Sequence, residues 1–119
     1  MSRISILVAG LVAALALAAP ISAMGPTKLA GVTGPGLTIT LKKSGVKVKT
    51  LKPGKYTITV RDKSSAHNFR LKGPGLNRQI TGLSFVGTKT VTVTLKKGTY
   101  TYLCDPHAIQ GMKGSFRVV

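Results

Sequence analysis

The run Thr99-Tyr100-Thr101-Tyr102-Leu103-Cys104-Asp105-Pro106-His107-Ala108-Ile109-Gln110-Gly111-Met112 joins two kinds of sequence. Its first half alternates and ends on cysteine. If it is extended, Tyr100, Tyr102 and Cys104 share one face, because successive side chains point to opposite sides of a strand. Its second half is bent by Pro106 and Gly111, and it holds the chain's single cysteine, one of two histidines and one of three methionines. Asp105-Pro106 reads as a helix N-cap and first-turn pair, so the chain turns tightly after Cys104 and swings His107 back beside the sulfur. An inward-facing strand that ends in a loop of sulfur and imidazole donors predicts a β fold with a metal centre at one end.

The rest of the chain agrees with a strand reading. Leu37-Thr38-Ile39-Thr40-Leu41 and Val46-Lys47-Val48-Lys49 alternate apolar with polar residues. So do Tyr56-Thr57-Ile58-Thr59-Val60, Val91-Thr92-Val93-Thr94-Leu95 and Ser115-Phe116-Arg117-Val118. Short alternating runs, with Gly and Pro about every ten residues and no sustained helical period, predict an all-β Greek-key sandwich of seven or eight strands. Leu51-Lys52-Pro53-Gly54-Lys55-Tyr56 and Leu95-Lys96-Lys97-Gly98-Thr99-Tyr100 share a Leu-x-x-Gly-x-Tyr pattern. Each predicts a tyrosine corner, in which the phenol bonds back to nearby backbone at a crossover; two similar hairpin turns are the alternative. Gly73-Pro74-Gly75-Leu76-Asn77 reads as a loop, and Gln79 to Gly87 is the least readable part.

The remaining histidine, His67, is separated from Cys104 by 36 residues and shares its predicted face with Phe69 and Leu71. Cys104-x2-His107-x4-Met112 with His67 supplies one thiolate, two imidazoles and one thioether. Soft sulfur with imidazole suits copper, and a His2Cys set with a weak axial Met is the blue-copper arrangement. Each residue alone has a plainer explanation: a lone cysteine is usually a buried inert residue and a lone histidine usually structural. The joint pattern outweighs these. Structural zinc makes little use of methionine, and a Cys–His nucleophile would need a third orienting group and a substrate cleft. With both histidines spent there are no ligands for the further coppers of an oxidase, so the chain does not read as an enzyme.

At these residues the chain resembles the cupredoxins. Cys104-Asp105-Pro106-His107 with Met112 is similar in spacing to the loop of plastocyanins and pseudoazurins, and Ser65-Ala66-His67-Asn68-Phe69 resembles the segment carrying their upstream ligand. The likeness runs from about Leu51 to Val119, and halocyanin-like or small bacterial cupredoxins fit it equally well. It implies one type 1 copper, with Cys104 as thiolate, His67 as the deeper imidazole, His107 as the exposed one and Met112 as axial thioether. Asn68 would brace the cysteine loop. The family's role implies electron transfer between partner proteins. Leu103 stands where many plastocyanins have tyrosine, and no acidic cluster is present, so the partner of plant plastocyanin is not implied. A copper carrier or scavenger is the alternative function, and a metal-free cationic adhesion or scaffold domain a third.

Arg3, the apolar run from Ile4 to Ala19 and the small residues around Ala23 read as a secretory signal over residues 1–23, too short to span a bilayer comfortably. Residues 24–119 then form one exported domain, periplasmic or extracellular; an uncleaved anchor is the alternative. Eighteen Lys and Arg against two acids give a net charge of +16. The basic residues are scattered, without an arginine block, an aromatic-interleaved patch or a helix for a groove, which argues against specific nucleic-acid binding. Such charge favours an acidic redox partner and contact with an anionic membrane surface, with the protein itself a monomer. Pro106, Ala108 and Ile109 are expected to form an apolar patch around His107, with Pro74 and Leu76 as neighbours.

Overall fold

Ten strands and one short 3-10 helix make up the protein, in a computed structural model that describes residues 25–119. The predicted signal, residues 1–23, lies outside the described residues. In chain order the strands are β1 (Thr27–Thr33), β2 (Ile39–Lys43), β3 (Val46–Lys47), β4 (Thr50–Leu51), β5 (Gly54–Asp62), β6 (Phe69–Gly73), β7 (Leu76–Thr81), β8 (Gly87–Leu95), β9 (Gly98–Leu103) and β10 (Lys113–Val118). The 3-10 helix, Asp105–Gln110, lies between β9 and β10.

The strands form two five-stranded sheets, ordered β3-β2-β1-β5-β8 and β4-β10-β9-β6-β7. Both are mixed, with β1 parallel to β5 and β4 parallel to β10 among otherwise antiparallel pairs. The expected all-β sandwich is therefore present, but with ten strands rather than seven or eight. The surplus is not confined to short pieces: β1 has seven residues, but Gly31 and Thr33 hold two of its buried positions, so no apolar alternation marks it, and the expected Val46–Lys49 strand shrinks to β3. β3 and β4 have two residues each, and between them the chain passes from one sheet to the other with Val48 buried and Val46 69% exposed. A further addition is β7, whose Asn77, Arg78 and Gln79 are all exposed, so no alternation marks it. It pairs with β6 as far as Gly73↔Leu76, which shortens the expected Gly73–Asn77 loop to a turn at Pro74-Gly75.

Alternation predicts the core correctly where strands are long. Tyr56, Ile58 and Val60 of β5, Val93 and Leu95 of β8, and Phe116 and Val118 of β10 are buried, while their polar neighbours mostly face water. They join Leu29, Leu41, Phe69, Leu71, Tyr100 and Tyr102 in one hydrophobic core. Tyr102 stacks on Phe69 and on Phe116 at centroid separations of 5.9 and 6.4 Å, and Tyr100 stacks on Phe116 at 5.5 Å. The tyrosine rings lie across glycines of neighbouring strands: Tyr102 over Gly114, its cross-strand partner, and Tyr100 over Gly73. A Cβ at either glycine would strike the ring, so a bare backbone is required there.

Both tyrosine corners are present, each where the chain changes sheet. Between β4 and β5 the Tyr56 hydroxyl donates to the Lys52 carbonyl at 2.6 Å. Between β8 and β9 the Tyr100 oxygen accepts from the Lys96 N–H at 2.9 Å and donates to the Pro74 carbonyl at 2.8 Å. A phenol body buried in the core thus satisfies backbone groups that a sheet-to-sheet crossover leaves without ladder partners.

Candidate metal centre

The two ends of the sandwich differ. Strand register places the β9–β10 loop, the β5–β6 loop, the β1–β2 loop and the β7–β8 loop at one end. The first two carry Cys104, His107, Met112 and His67.

Cys104 follows the last residue of β9 and continues its inward parity, so Tyr100, Tyr102 and Cys104 are all buried. The next turn is a 3-10 helix for which Cys104, rather than Asp105, is the capping residue, with Pro106 in its first turn. Asp105 is not the expected N-cap: its carboxylate faces Asn68 and Arg70, and no side chain caps the helix. Gly111 ends the turn at φ 93, a left-handed conformation that glycine adopts without penalty. The turn does bring His107 to the sulfur, as expected. Three backbone bonds then close the loop on itself. The Cys104 N–H donates to the Met112 carbonyl at 3.1 Å, the Met112 N–H to the His107 carbonyl at 3.2 Å, and the His107 N–H to the Cys104 carbonyl at 3.2 Å.

His67 comes from the other side, just before β6. Its turn is tied by Ser64, whose N–H donates to Asp62 Oδ1 at 3.2 Å and whose Oγ accepts from the Ala66 N–H at 3.0 Å. The His67 N–H donates to the Ser64 carbonyl at 3.2 Å. These bonds fix the backbone of a residue that lies outside any strand.

The side chains converge. Cys104 Sγ lies 3.7 Å from His67 Nδ1 and 3.5 Å from His107 Nδ1, and the two Nδ1 atoms are 3.0 Å apart. Of these three, His67 and Cys104 are buried and His107 is half-buried. Metal bonds of about 2.0 Å to nitrogen and about 2.3 Å to sulfur, spread evenly in a plane, would hold nitrogen and sulfur about 3.7 Å apart. The two sulfur edges match that span, and the nitrogen edge is shorter than it. Donor chemistry points the same way, since one thiol and two imidazole Nδ1 atoms share a pocket that holds no carboxylate oxygen. The arrangement fits a type 1 copper. Met112 is completely buried, and its backbone is bonded to both Cys104 and His107.

Behind the loop lies a polar cluster that the sequence only partly discloses. Asn68, expected to brace the cysteine loop, is completely buried: its Oδ1 accepts from the Asp105 N–H at 2.7 Å, and its Nδ2 donates to Asp105 Oδ2 at 2.9 Å and Gln79 Oε1 at 3.1 Å. Arg70 adds an ion pair with Asp105 at 3.0 Å and donates to Asn77 Oδ1 at 3.1 Å. Thr33 Oγ1 donates to the Asn68 carbonyl at 3.3 Å. Arg70, Gln79 and Thr33 were not identified from the sequence. They come from β6, β7 and β1, and only the sheet order brings them together; the one available signal was Arg70, two residues past Asn68 on the same strand face.

The surface around His107 is partly as expected. Ile109 is 93% exposed, Pro106 is exposed and Ala108 half-buried. Pro74 and Leu76 are not its neighbours. They sit in the β6–β7 hairpin at the opposite end, where the Pro74 carbonyl receives the Tyr100 hydroxyl. The exposed apolar residues in loops at the histidine end are instead Leu37, Leu83 and Val86.

Residues 37–119 match the family model described as copper binding proteins of the plastocyanin/azurin family, a span that begins earlier than the likeness read from the sequence. Among solved structures, rusticyanin from Thiobacillus ferrooxidans is 26% identical over 81% of this chain and 79% of that one, with a TM-score of 0.55. A further structure, of the copper protein rusticyanin at 2.1 Å, is 24% identical over 81% and 80% of the two chains, with a TM-score of 0.55. Dithionite-reduced auracyanin from the photosynthetic bacterium Roseiflexus castenholzii is 24% identical over 81% of this chain and 99% of that one, with a TM-score of 0.56. The last two likenesses concern the fold alone.

Proposed function

The chain belongs to the plastocyanin/azurin family of copper-binding proteins, and on that premise we propose that it is an exported carrier of single electrons. His67, Cys104 and His107 would hold its copper, with Met112 as a weaker fourth donor. The observation that carries this reading is the donor triangle, closed by edges of 3.0, 3.5 and 3.7 Å in the protein alone.

Copper, when bound, supplies the one-electron couple. The chain's own residues supply the rest. Backbone bonds among Cys104, His107 and Met112 hold three of the four donors at fixed separations, so the site changes shape little as its charge changes. Asn68 holds the Asp105 amide and, with Arg70, its carboxylate, which fixes the backbone next to the sulfur. Burial of Cys104, Met112, Phe69 and Tyr102 keeps water from the sulfur side. His107 alone of the three is half-exposed, and through its ring a partner comes nearest to the metal.

The partner is a redox protein of acidic surface, drawn by the net charge of +16 and released easily from a small contact. The protein works as a monomer outside the cytoplasm, as the signal-like residues 1–23 support, and converts no substrate of its own. A copper carrier would use the same donors but would give up the metal. Stopped-flow reduction and reoxidation of the copper-loaded protein in the presence of a cuprous chelator separates the two. Electron carriage requires fast exchange with copper retained in both states. Slow exchange with rapid loss of cuprous ion would reject it in favour of metal transfer.

A further inference from the structure

The basic residues, scattered in sequence, are unevenly spread in space. Both acids lie at the histidine end: Asp105 beside Cys104, and Asp62 at the end of β5 beside the turn that carries His67. Arg70, the one cation in an ion pair among the described residues, lies there as well. The opposite end has no Asp or Glu side chain. There the segment from Lys42 to Lys55 runs along the edge of the sandwich, through β3, across to β4 and into β5. Lys43, Lys47, Lys49, Lys52 and Lys55 are all exposed along it. They border two adjoining grooves that share Lys43, Thr50 and Leu51, the larger with a volume of about 870 Å³. Lys96 and Lys97 of the β8–β9 turn add to the same end.

We propose that this lysine end is a docking face for an anionic lipid bilayer, which holds the protein with His107 pointing away from the membrane. Three observations favour a bilayer over another polyanion. First, Val46 stands 69% exposed between Lys43 and Lys47, an apolar tip among cations of the kind that enters a headgroup layer. Second, Gly25 and Pro26 line the larger groove. The described chain therefore enters the domain at this end, so an N-terminal apolar sequence kept on export would meet the same surface. Third, the lysines face outward with no Asp or Glu side chain among them, so each acts on an anionic surface within a Debye length. The lysine face contains none of the donor residues, so docking there does not depend on copper.

Each lysine near such a surface strengthens binding by about fivefold. The test uses the purified protein with the N-terminus it carries on export, defined by mass, and vesicles of phosphatidylcholine with or without one-third phosphatidylglycerol. Binding to the anionic vesicles alone is expected, falling steeply with added salt. The fourfold variant Lys43→Glu, Lys47→Glu, Lys52→Glu, Lys55→Glu should bind at least about a hundredfold more weakly. Reversal of Arg61, Lys63, Lys89 and Lys113 near the other end should cost under about tenfold. Lysine acetylation of the unaltered protein, which needs no variant to fold, should show Lys43, Lys47, Lys52 and Lys55 shielded by vesicles while Lys63, Lys89 and Lys113 stay reactive. Equal losses in the two variants, or uniform acetylation, would overturn the assignment of a face. Equal binding to neutral vesicles would assign attachment to the N-terminal apolar sequence instead. Preference for soluble dextran sulfate over anionic vesicles at matched charge would make the partner a polymer and overturn the bilayer.

Discussion

Met112 and His67 should fail differently when replaced, because a thioether at a distance and an imidazole in the donor plane hold metal with unequal strength. Met112→Gln is expected to keep a coloured copper site and lower its potential, whereas His67→Ala should lose tight copper binding; titration with copper and voltammetry decide. Equal and complete loss in both would mean the roles are misassigned, and no change in Met112→Gln would make Met112 a packing residue. Behind these ligands, Asn68→Ala removes both the acceptor for the Asp105 N–H and a donor to the Asp105 carboxylate. It should cost about 1–3 kcal/mol of stability in the metal-free protein and weaken copper binding by about 10–100-fold. The three residues that converge, His67, Cys104 and His107, were legible in the sequence because copper's preference for thiolate and imidazole is a statement about residue types, and two of them share one short loop with Met112. Asn68 was legible only through its place beside His67. Arg70, Gln79 and Thr33 were not, since hydrogen bonding between separate strands depends on sheet order. Asp105 was misread as a cap because Asp-Pro is a good helix opening in isolation; the buried Asn68 amide and the Arg70 guanidinium compete for its carboxylate and win.

At the scale of single elements, the two tyrosine corners have unequal duties. Tyr100 serves two backbone groups on different segments and Tyr56 one. Tyr100→Phe should therefore destabilise the fold by about 1–3 kcal/mol and Tyr56→Phe by about 1 kcal/mol in urea unfolding. Equal losses would show that the rings, not the hydroxyls, hold the crossovers. Tyr102 adds a pH effect. Burial pushes its phenol above the ordinary 10.0, outweighing a hydrogen bond with the Leu41 backbone. The folded state thus keeps the neutral form longer than the unfolded chain does. Its contribution to stability is fully present below pH 10.0 and is lost as pH rises from there through the folded pKa. Unfolding titrations should show Tyr102→Phe with a flatter alkaline limb than the unaltered protein. Most long strands were legible because one buried face gives a period of two; β1 was not, because Gly31 and Thr33 hold two of its buried positions. Two edge pieces were not: β4 is too short to show a period, and Asn77, Arg78 and Gln79 of β7 are exposed on both faces; the Val46–Lys49 run was read as a strand but pairs only over Val46–Lys47.

For the whole molecule the net charge was plain in the composition, but its polarity was not, because sequence neighbours and spatial neighbours differ in a Greek key. Ordering the strands puts both acids at the histidine end and the densest run of lysines, Lys43 to Lys55, at the other. The positive field should still steer an acidic redox partner, so electron exchange with one should slow steeply as salt rises and exchange with a basic partner should quicken. Lys113→Glu, next to the metal loop, should slow association with the acidic partner and leave the copper spectrum unaltered. Rates that ignore salt for partners of both signs would show that the charge serves something other than encounter. All of this presumes a thiolate bonded to cupric ion, and the visible and electron-spin spectrum of the copper-loaded protein tests that bond directly. The account predicts an intense blue colour that bleaches on reduction and is absent in Cys104→Ser even where copper stays bound. A colourless, stoichiometric cupric complex of the unaltered protein would contradict it.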